Sequence, residues 1–351
     1  MDIQIAELSL VAQTAYAQLL DAALAAEHVR SVADLKGSFA AKTVKGRKYW
    51  YFQYTEPAGK LRQVYVGRDG PAVHALMSRR DGGTPARESL ERMARAAVAL
   101  GCAGILPRHF RVLRRLADYG FFNAGGVLVG THAFLAYGNM LGVRWGTADR
   151  TQDLDFAHAG KSISLLLPGD VDVRTDDAIR SLDMGFLPIS GLSASAAAGY
   201  LNPREPEFRL DFLTVRHRGQ EEPFAHARLG VTLQPLKFME YSLEDVQQAT
   251  LFCEEGAVLV NVPNPARYAL HKLLVFGERT GTFAAKSNKD LIQAAHLLAY
   301  LREHRASEVE AAWRDLIARG RGWIGRAKQG LRALENAFPE LRARAWLERS
   351  A

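Results

Sequence analysis

The chain has 351 residues, 48% hydrophobic and 24% charged, an ordinary globular composition with room for about two to three domains, which excludes fibrous and disordered classes. No apolar run reaches the roughly 18 residues of a membrane span, and Asp2 and Glu7 stand where a secretory leader is basic, so a cytoplasmic protein is expected. The two cysteines, Cys102 and Cys253, form neither a zinc motif nor a disulfide framework, and a formal net charge of +7 favours an anionic partner such as nucleic acid.

Residues 8–28 read as an amphipathic helix, with Leu8, Val11, Ala15, Leu19 and Ala23 at helical spacing. Between Gly37 and Gly70 the character changes to three β-rich runs punctuated by Lys45-Gly46-Arg47 and Pro57-Ala58-Gly59, which predicts a three-stranded antiparallel ribbon. Here Lys42, Lys45, Arg47, Lys48, Lys60, Arg62 and Arg68 face only Glu56 and Asp69, interleaved with Tyr49, Trp50, Tyr51, Phe52, Tyr54 and Tyr65. Basic charge beside aromatic rings is the composition of a surface that tracks a phosphate backbone and stacks bases, with Lys45, Arg47, Lys48, Trp50 and Arg62 as its candidates. The ribbon resembles the arm-binding domains of phage integrases. It reads equally as a structural cap whose lysines protect a sheet edge. Helical segments follow over 72–79, 86–100 and 107–118, the last opening on Pro107. Arg108, Arg111, Arg114 and Arg115 on that helix either face a polyanion or form a solvated face.

The most informative stretch is Gly125–Phe156. Val127, Leu128 and Val129 form a short apolar run, and Gly130-Thr131 turns the chain into a helix of small and apolar residues. At the far end Asp153 and Asp155 flank Leu154, and residues two apart on a strand share a face. Two carboxylates held that close repel one another unless a divalent cation lies between them, and oxygen-only ligation suits Mg²⁺.

Gly130-Thr131, a spacer of 21 residues from His132 to Gln152, and Arg150-Thr151-Gln152-Asp153-Leu154-Asp155-Phe156 resemble the signature of the DNA polymerase β-like nucleotidyltransferase superfamily. The arginine and small hydroxyl residue just before the acids are similar to those of the AbiE-type abortive-infection nucleotidyltransferases and related toxin-like bacterial proteins. The spacer is longer than in compact members of the superfamily. The resemblance implies a third acid on the strand beside the Asp-x-Asp strand, and Asp211 in Phe208–Val215 matches that position. A carboxylate in an apolar strand wants a cation, and the competing reading pairs Asp211 with Arg209 or Arg216. Two further extended pieces are expected at 162–167 and 185–189, with a small-residue loop over 191–199.

Downstream, Pro263-Asn264-Pro265 opens a helix carrying His271 and Lys272, and a second helix near Lys286 carries Lys289-Asp290. His271 reads as a packing or capping residue. The resemblance implies that Lys272, Lys289 and Asp290 line a nucleotide cleft with Gly130, Thr131 and Arg150, where lysine charge offsets triphosphate. The remainder is helical and rich in arginine, interrupted by Gly320, Gly322 and Gly325, and is either a substrate-facing flank or a solubilising surface.

The expected architecture is α/β (α+β): an N-terminal helix (1–36), a basic three-stranded β-ribbon (37–70), a helical connector (71–120), a polymerase β-like nucleotidyltransferase core with a mixed sheet (121–260) and a C-terminal helical domain (261–351). The implied chemistry is transfer of a nucleoside monophosphate from an NTP, with Asp153, Asp155 and Asp211 as catalytic and metal-ligating acids and two Mg²⁺ ions. Three functions compete: modification of an RNA end, with tRNA and a cognate antitoxin protein as partners in a toxin or phage-defence role; nucleotidylation of a protein or small molecule; and a non-catalytic nucleic-acid-binding regulator.

Overall fold

The computed structural model describes residues 3–29, 38–55, 61–146, 151–159, 173–189, 198–278 and 284–349. The chain opens with a short strand, β1 (Ile5–Glu7), and a helix, α1 (Leu10–Val29). Leu8, Ala12, Tyr16, Leu19 and Ala23 are buried, whereas Val11 is 61% exposed. The buried stripe is therefore rotated from the one expected through Val11 and Ala15. Tyr16 decides this: its hydroxyl accepts a hydrogen bond from the backbone N–H of Thr250, 234 residues away, at 3.3 Å.

The ribbon consists of β2 (Ser38–Val44), β3 (Arg47–Thr55) and β4 (Leu61–Arg68), antiparallel in the order β2-β3-β4. One helix, α2 (Pro71–Ala99), follows where two segments were expected. It runs through Gly82-Gly83 and Pro85, a reminder that local breakers are weak priors. Next comes α3 (Pro107–Asp118), with proline in its first turn, where the missing N–H costs nothing.

The central layer is built from β5 (Val127–Val129), α4 (Gly130–Met140), β6 (Val143–Trp145), β7 (Leu154–His158), α5 (Thr175–Arg180), β8 (Leu187–Pro188), β9 (Gly199–Asn202), β10 (Glu205–Val215), β11 (Phe224–His226), β12 (Val231–Leu236) and α6 (Met239–Leu243). The expected strand at 162–167 and residues 191–197 of the expected loop lie outside the described residues. The sheet runs β11-β12-β10-β7-β5, with β9 on β10 and β8 on β9. It is mixed: β10 is parallel to both β7 and β12, and antiparallel partners close the edges. Alternation along β7 and β10 puts Leu154, Phe156, Leu210 and Phe212 into the main core, where the Phe156 and Phe212 rings stack at 5.1 Å. Asp155 and Asp211 consequently stand on the opposite face, beside a smaller apolar cluster that includes Val127, Val129, Val215 and Met239.

A hairpin, β13 (Val246–Cys253) with β14 (Gly256–Pro263), then leads into α7 (Pro265–Glu278), α8 (Ala284–His304), α9 (Ala306–Ala318), α10 (Arg321–Ala337) and α11 (Ala343–Arg349). Gly320, at φ 112°, separates α9 from α10, but Gly322 and Gly325 lie within α10. Helices α7 and α10 meet backbone to backbone. A Cβ on Gly330 would lie 2.2 Å from the Leu273 carbonyl oxygen, so no larger residue fits. Several C-terminal arginines hold this bundle together: Arg319 bonds Asp315 and Glu244, Arg326 bonds Glu278, and Arg302 bonds the Leu341 carbonyl. No helix among the described residues is long and apolar enough to cross a membrane.

Candidate active site

The parallel register between β7 and β10 sets Asp155 directly opposite Asp211. Neighbouring strands lie about 4.8 Å apart and residues in register point the same way, so the two carboxylates share one patch of the sheet face. Both are half-buried, and Asp211 is thus less enclosed than its apolar neighbours in sequence suggest. The two arginines considered as its partners are engaged elsewhere: Arg216 bonds Glu221, and Arg209 donates to the Pro206 carbonyl at 3.0 Å.

Glycines make room for both acids. Gly130, at φ +63°, begins α4 immediately after β5, and a Cβ there would stand 2.0 Å from Asp155 Oδ2. A side chain at 130 would meet both left-handed backbone strain and the carboxylate. A Cβ on Gly199 would lie 2.9 Å from Asp211 Oδ1. Asp153 stands just outside β7, its backbone N–H bonded to Thr151 Oγ1 at 3.3 Å. Among the described residues, no three His, Cys, Asp or Glu side chains are grouped closely enough to hold a metal ion by themselves. The expected three-acid cluster is not assembled in that sense; the register brings together the pair Asp155 and Asp211. Two carboxylates with substrate phosphate oxygens still fit Mg²⁺, which keeps several of its positions for water and phosphate.

Helices α7 and α8 close over this patch. Lys289 is half-buried; burial, then Lys272, push its pKa down, while Asp155, Asp153 and Asp290 pull it up, which sets this ammonium in the field of both acids of the Asp-x-Asp pair. Lys272 is engaged differently. Its Nζ lies 2.6 Å from Asp290 Oδ1 in a nearly buried ion pair and 5.1 Å from the centroid of the Tyr268 ring. Asp290 therefore serves in the structure as the partner of Lys272. His271 is buried, in keeping with a packing residue.

Sequence patterns did not single out Tyr268 or Gln293, because neither carries a motif. Tyr268 Oη lies 2.8 Å from the Gly130 carbonyl oxygen and 2.9 Å from Gln293 Oε1, and Gln293 Nε2 lies 3.3 Å from Thr131 Oγ1. The Tyr268 hydroxyl donates toward both the Gly130 carbonyl and Gln293 Oε1, and Gln293 Nε2 donates to Thr131 Oγ1. This relay clamps both residues of the turn to α7 and α8. Burial, followed by Asp290 and Asp155, holds the Tyr268 hydroxyl well above its usual pKa, so it stays protonated as the relay requires.

A second buried pair backs the turn. His132 Nε2 and His109 Nδ1 are 3.0 Å apart, and both rings are about 1% exposed. Burial, with Arg108 nearby, pushes His109 down to about 4. His132 is pushed well below its usual value by burial, then by His109 and Lys289, against an opposing hydrogen bond at Asp153. Both imidazoles are neutral at pH 7, one donating to the other.

Arg150 lies outside the described residues. The α3 arginines are largely committed to carboxylates: Arg108 to Glu205 at 2.5 Å, Arg111 to Glu255 at 2.9 Å and Arg114 to Asp118 at 3.2 Å. In the ribbon, the Trp50 indole N–H donates to Asp69 at 2.5 Å, its ring meets His74 edge-on, and Lys48 lies over it at 4.6 Å. Trp50 thus faces the start of α2, and the outward aromatic positions are others.

A family model described as Nucleotidyltransferase matches residues 108–318. That is more than half of the chain, and the chain belongs to this family, whose membership supports a nucleotidyl-transfer activity. A search of the curated proteins found no match. Among solved structures, the crystal structure of an antigenic nucleotidyltransferase-like protein from Paracoccidioides brasiliensis is similar at 16% identity, over 65% of this chain and 95% of that one, with a TM-score of 0.31. A likeness that loose carries no argument.

Proposed function

We propose that the protein is a Mg²⁺-dependent enzyme of the abortive-infection type that transfers a nucleoside monophosphate from an NTP to a hydroxyl on RNA, releasing pyrophosphate. The observation that carries this reading is the register of Asp155 with Asp211, with Gly130 packed on one carboxylate and Gly199 on the other. Asp155 and Asp211, with Asp153 at their edge, would hold Mg²⁺, which when bound supplies positive charge to the triphosphate and lowers the pKa of the acceptor hydroxyl. Lys289 supplies charge toward the phosphates from α8, being near both Asp153 and Asp155. The N-terminus of α4 offers backbone N–H groups at Thr131 and His132 to an anion. Lys272, held by Asp290, adds charge behind Lys289 and keeps α7 against α8. In the reaction the acceptor oxygen bonds to the α-phosphorus, the bond to the pyrophosphate oxygen breaks, and the acceptor proton passes to solvent.

Labelled NTPs are incubated with the protein, Mg²⁺ and total RNA, and the RNA and protein fractions are separated. Label in RNA that disappears with Asp155→Ala is the expected result. Label in protein alone would replace RNA with a polypeptide acceptor, and no label in either fraction would overturn the transfer reading. The toxin role predicts that expression arrests bacterial growth and that Asp155→Ala relieves the arrest.

A further inference from the structure

The ribbon's two faces are unlike. On one, Phe39 and Phe52 meet edge to face at 5.2 Å, Phe52 is 3% exposed, and Trp50 is tied to Asp69 and His74. A Cβ on Gly67, which pairs with Trp50, would come within 2.9 Å of Val73, so α2 covers this face. The register sends Tyr49, Tyr51, Gln53, Gln63 and Tyr65 to the other. There Tyr65 lies 5.6 Å from Tyr51 and 6.3 Å from Tyr49, and it is 55% exposed. Lys42 sits 4.8 Å from the Tyr51 ring centroid and bonds Gln63. The three strands and the β2-β3 turn carry Lys42, Lys45, Arg47, Lys48, Arg62 and Arg68 and no acidic residue.

We propose that this tyrosine face docks single-stranded RNA, with bases stacked on Tyr51, Tyr65 and Tyr49 and phosphates drawn by Lys42 and the cations of the β2-β3 turn. The inference rests on the RNA acceptor proposed above and names where that acceptor is held. Charge argues for the occupant: an acid-free strand set with this many cations attracts a polyanion. Geometry argues for a single strand, because rings standing on a sheet reach the faces of unstacked bases, whereas a duplex presents edges and phosphates. The side-chain amides of Gln53 and Gln63 on the same face are suited to the 2′-hydroxyl, which both donates and accepts.

The test measures binding of a fluorescent single-stranded RNA dodecamer of mixed sequence to the full chain, without NTP or metal. The parent should bind with an affinity that falls steeply with salt. Tyr51→Leu/Tyr65→Leu should weaken binding roughly a hundredfold, about tenfold per stacked base, while Tyr51→Phe/Tyr65→Phe keeps parental affinity. Thermal melting read by circular dichroism accompanies each variant. Tyr65→Leu alone, at the most exposed of the three positions, keeps the test open should the double leucine variant not fold. Parental affinity in the leucine variants, an equal loss in the phenylalanine variant, or tighter binding of duplex RNA would overturn the stacking face. Equal binding of single-stranded DNA, or binding only of an acidic protein from the same cells, would overturn RNA as the occupant. Because neither metal nor NTP is present, the two tests read separately: failure here leaves the transfer reading standing, and failure of the transfer assay leaves RNA binding by the tyrosine face standing but overturns that RNA as the acceptor.

Discussion

The turn at Gly130 and the β-ribbon use polar and aromatic side chains in opposite ways. At the turn several polar groups are tied to distant parts of the chain, Gly130 and Thr131 to α7 and α8 and His132 to α3, while Asp155 lies in register with Asp211 on β10. The ribbon is held by its own cross-strand pairs and by contacts at the start of α2, and its cations lie on exposed strands. Tertiary over-determination is what allows like charges, a left-handed residue and neutral buried histidines to persist together. A self-contained sheet tolerates surface change, so its side chains are available for a partner.

The contrast predicts where substitution is costly. Asp155→Ala and Asp211→Asn should each lower nucleotidyl transfer by at least about a thousandfold with little loss of melting temperature, since each removes one of two neighbouring like charges. Gly130→Ala should match that loss of turnover and also destabilise the fold, by about 1–2 kcal/mol from the left-handed backbone alone. Parental turnover in the Gly130→Ala variant would show that the close packing of Gly130 on Asp155 is incidental.

Lys272→Ala removes the ion pair of Asp290 in a nearly buried position and should cost about 3–5 kcal/mol, read as a shift in the denaturation midpoint. Lys272→Met combined with Asp290→Leu should recover most of that stability. If the single change is as mild as a surface mutation, the pair does not hold α7 to α8. Lys289→Ala should instead raise the KM for NTP while leaving stability near parental.

The histidine pair sharpens the comparison through pH. His109 is held at about 4 in the folded protein, against about 6.5 in the unfolded chain. As pH falls through that window the unfolded state takes up the proton first, so the His109 share of stability, about 3 kcal/mol, is lost between pH 6.5 and about 4, and His132, also held down by burial, adds to the loss. Denaturant melts at pH 7 and 4.5 measure this loss. His109→Gln, which keeps a hydrogen-bonding group but does not titrate, should remove the His109 share of it.

The smallest effect on folding belongs to the ribbon. Replacing Lys45, Arg47, Lys48 and Arg62 together by alanine should leave the melting temperature nearly unchanged, each surface change being worth within about 0.5 kcal/mol. The slope of log affinity for RNA against log salt should flatten by about three to four units. An unchanged slope would make the ribbon a structural cap.

Much of this was legible locally. Proline at 107 starts α3, Gly130 starts α4, and the punctuation around Gly46 delimits two strands of the ribbon, because turn and cap preferences act within a few residues. The apolar run from Phe208 also declares its strand, and the acid within it declares an exception to burial. Other features needed partners far along the chain. Tyr16 turned α1 toward Thr250, away from the stripe its own spacing suggested. Whether Trp50 or Tyr51 faces outward depended on which side of the ribbon α2 covered, since both faces are aromatic. Lys272 and Lys289 are alike as helix lysines, and only the packing of α7 on α8 gave one to Asp290 and left the other in the field of Asp153 and Asp155. The relay from Thr131 through Gln293 and Tyr268 to Gly130 has no sequence signature at all. Local preferences determine where elements begin and which face is apolar; the pairing of charges and hydrogen-bonding groups across elements is set by the tertiary structure, because those energies depend on distances that exist only once the chain is folded.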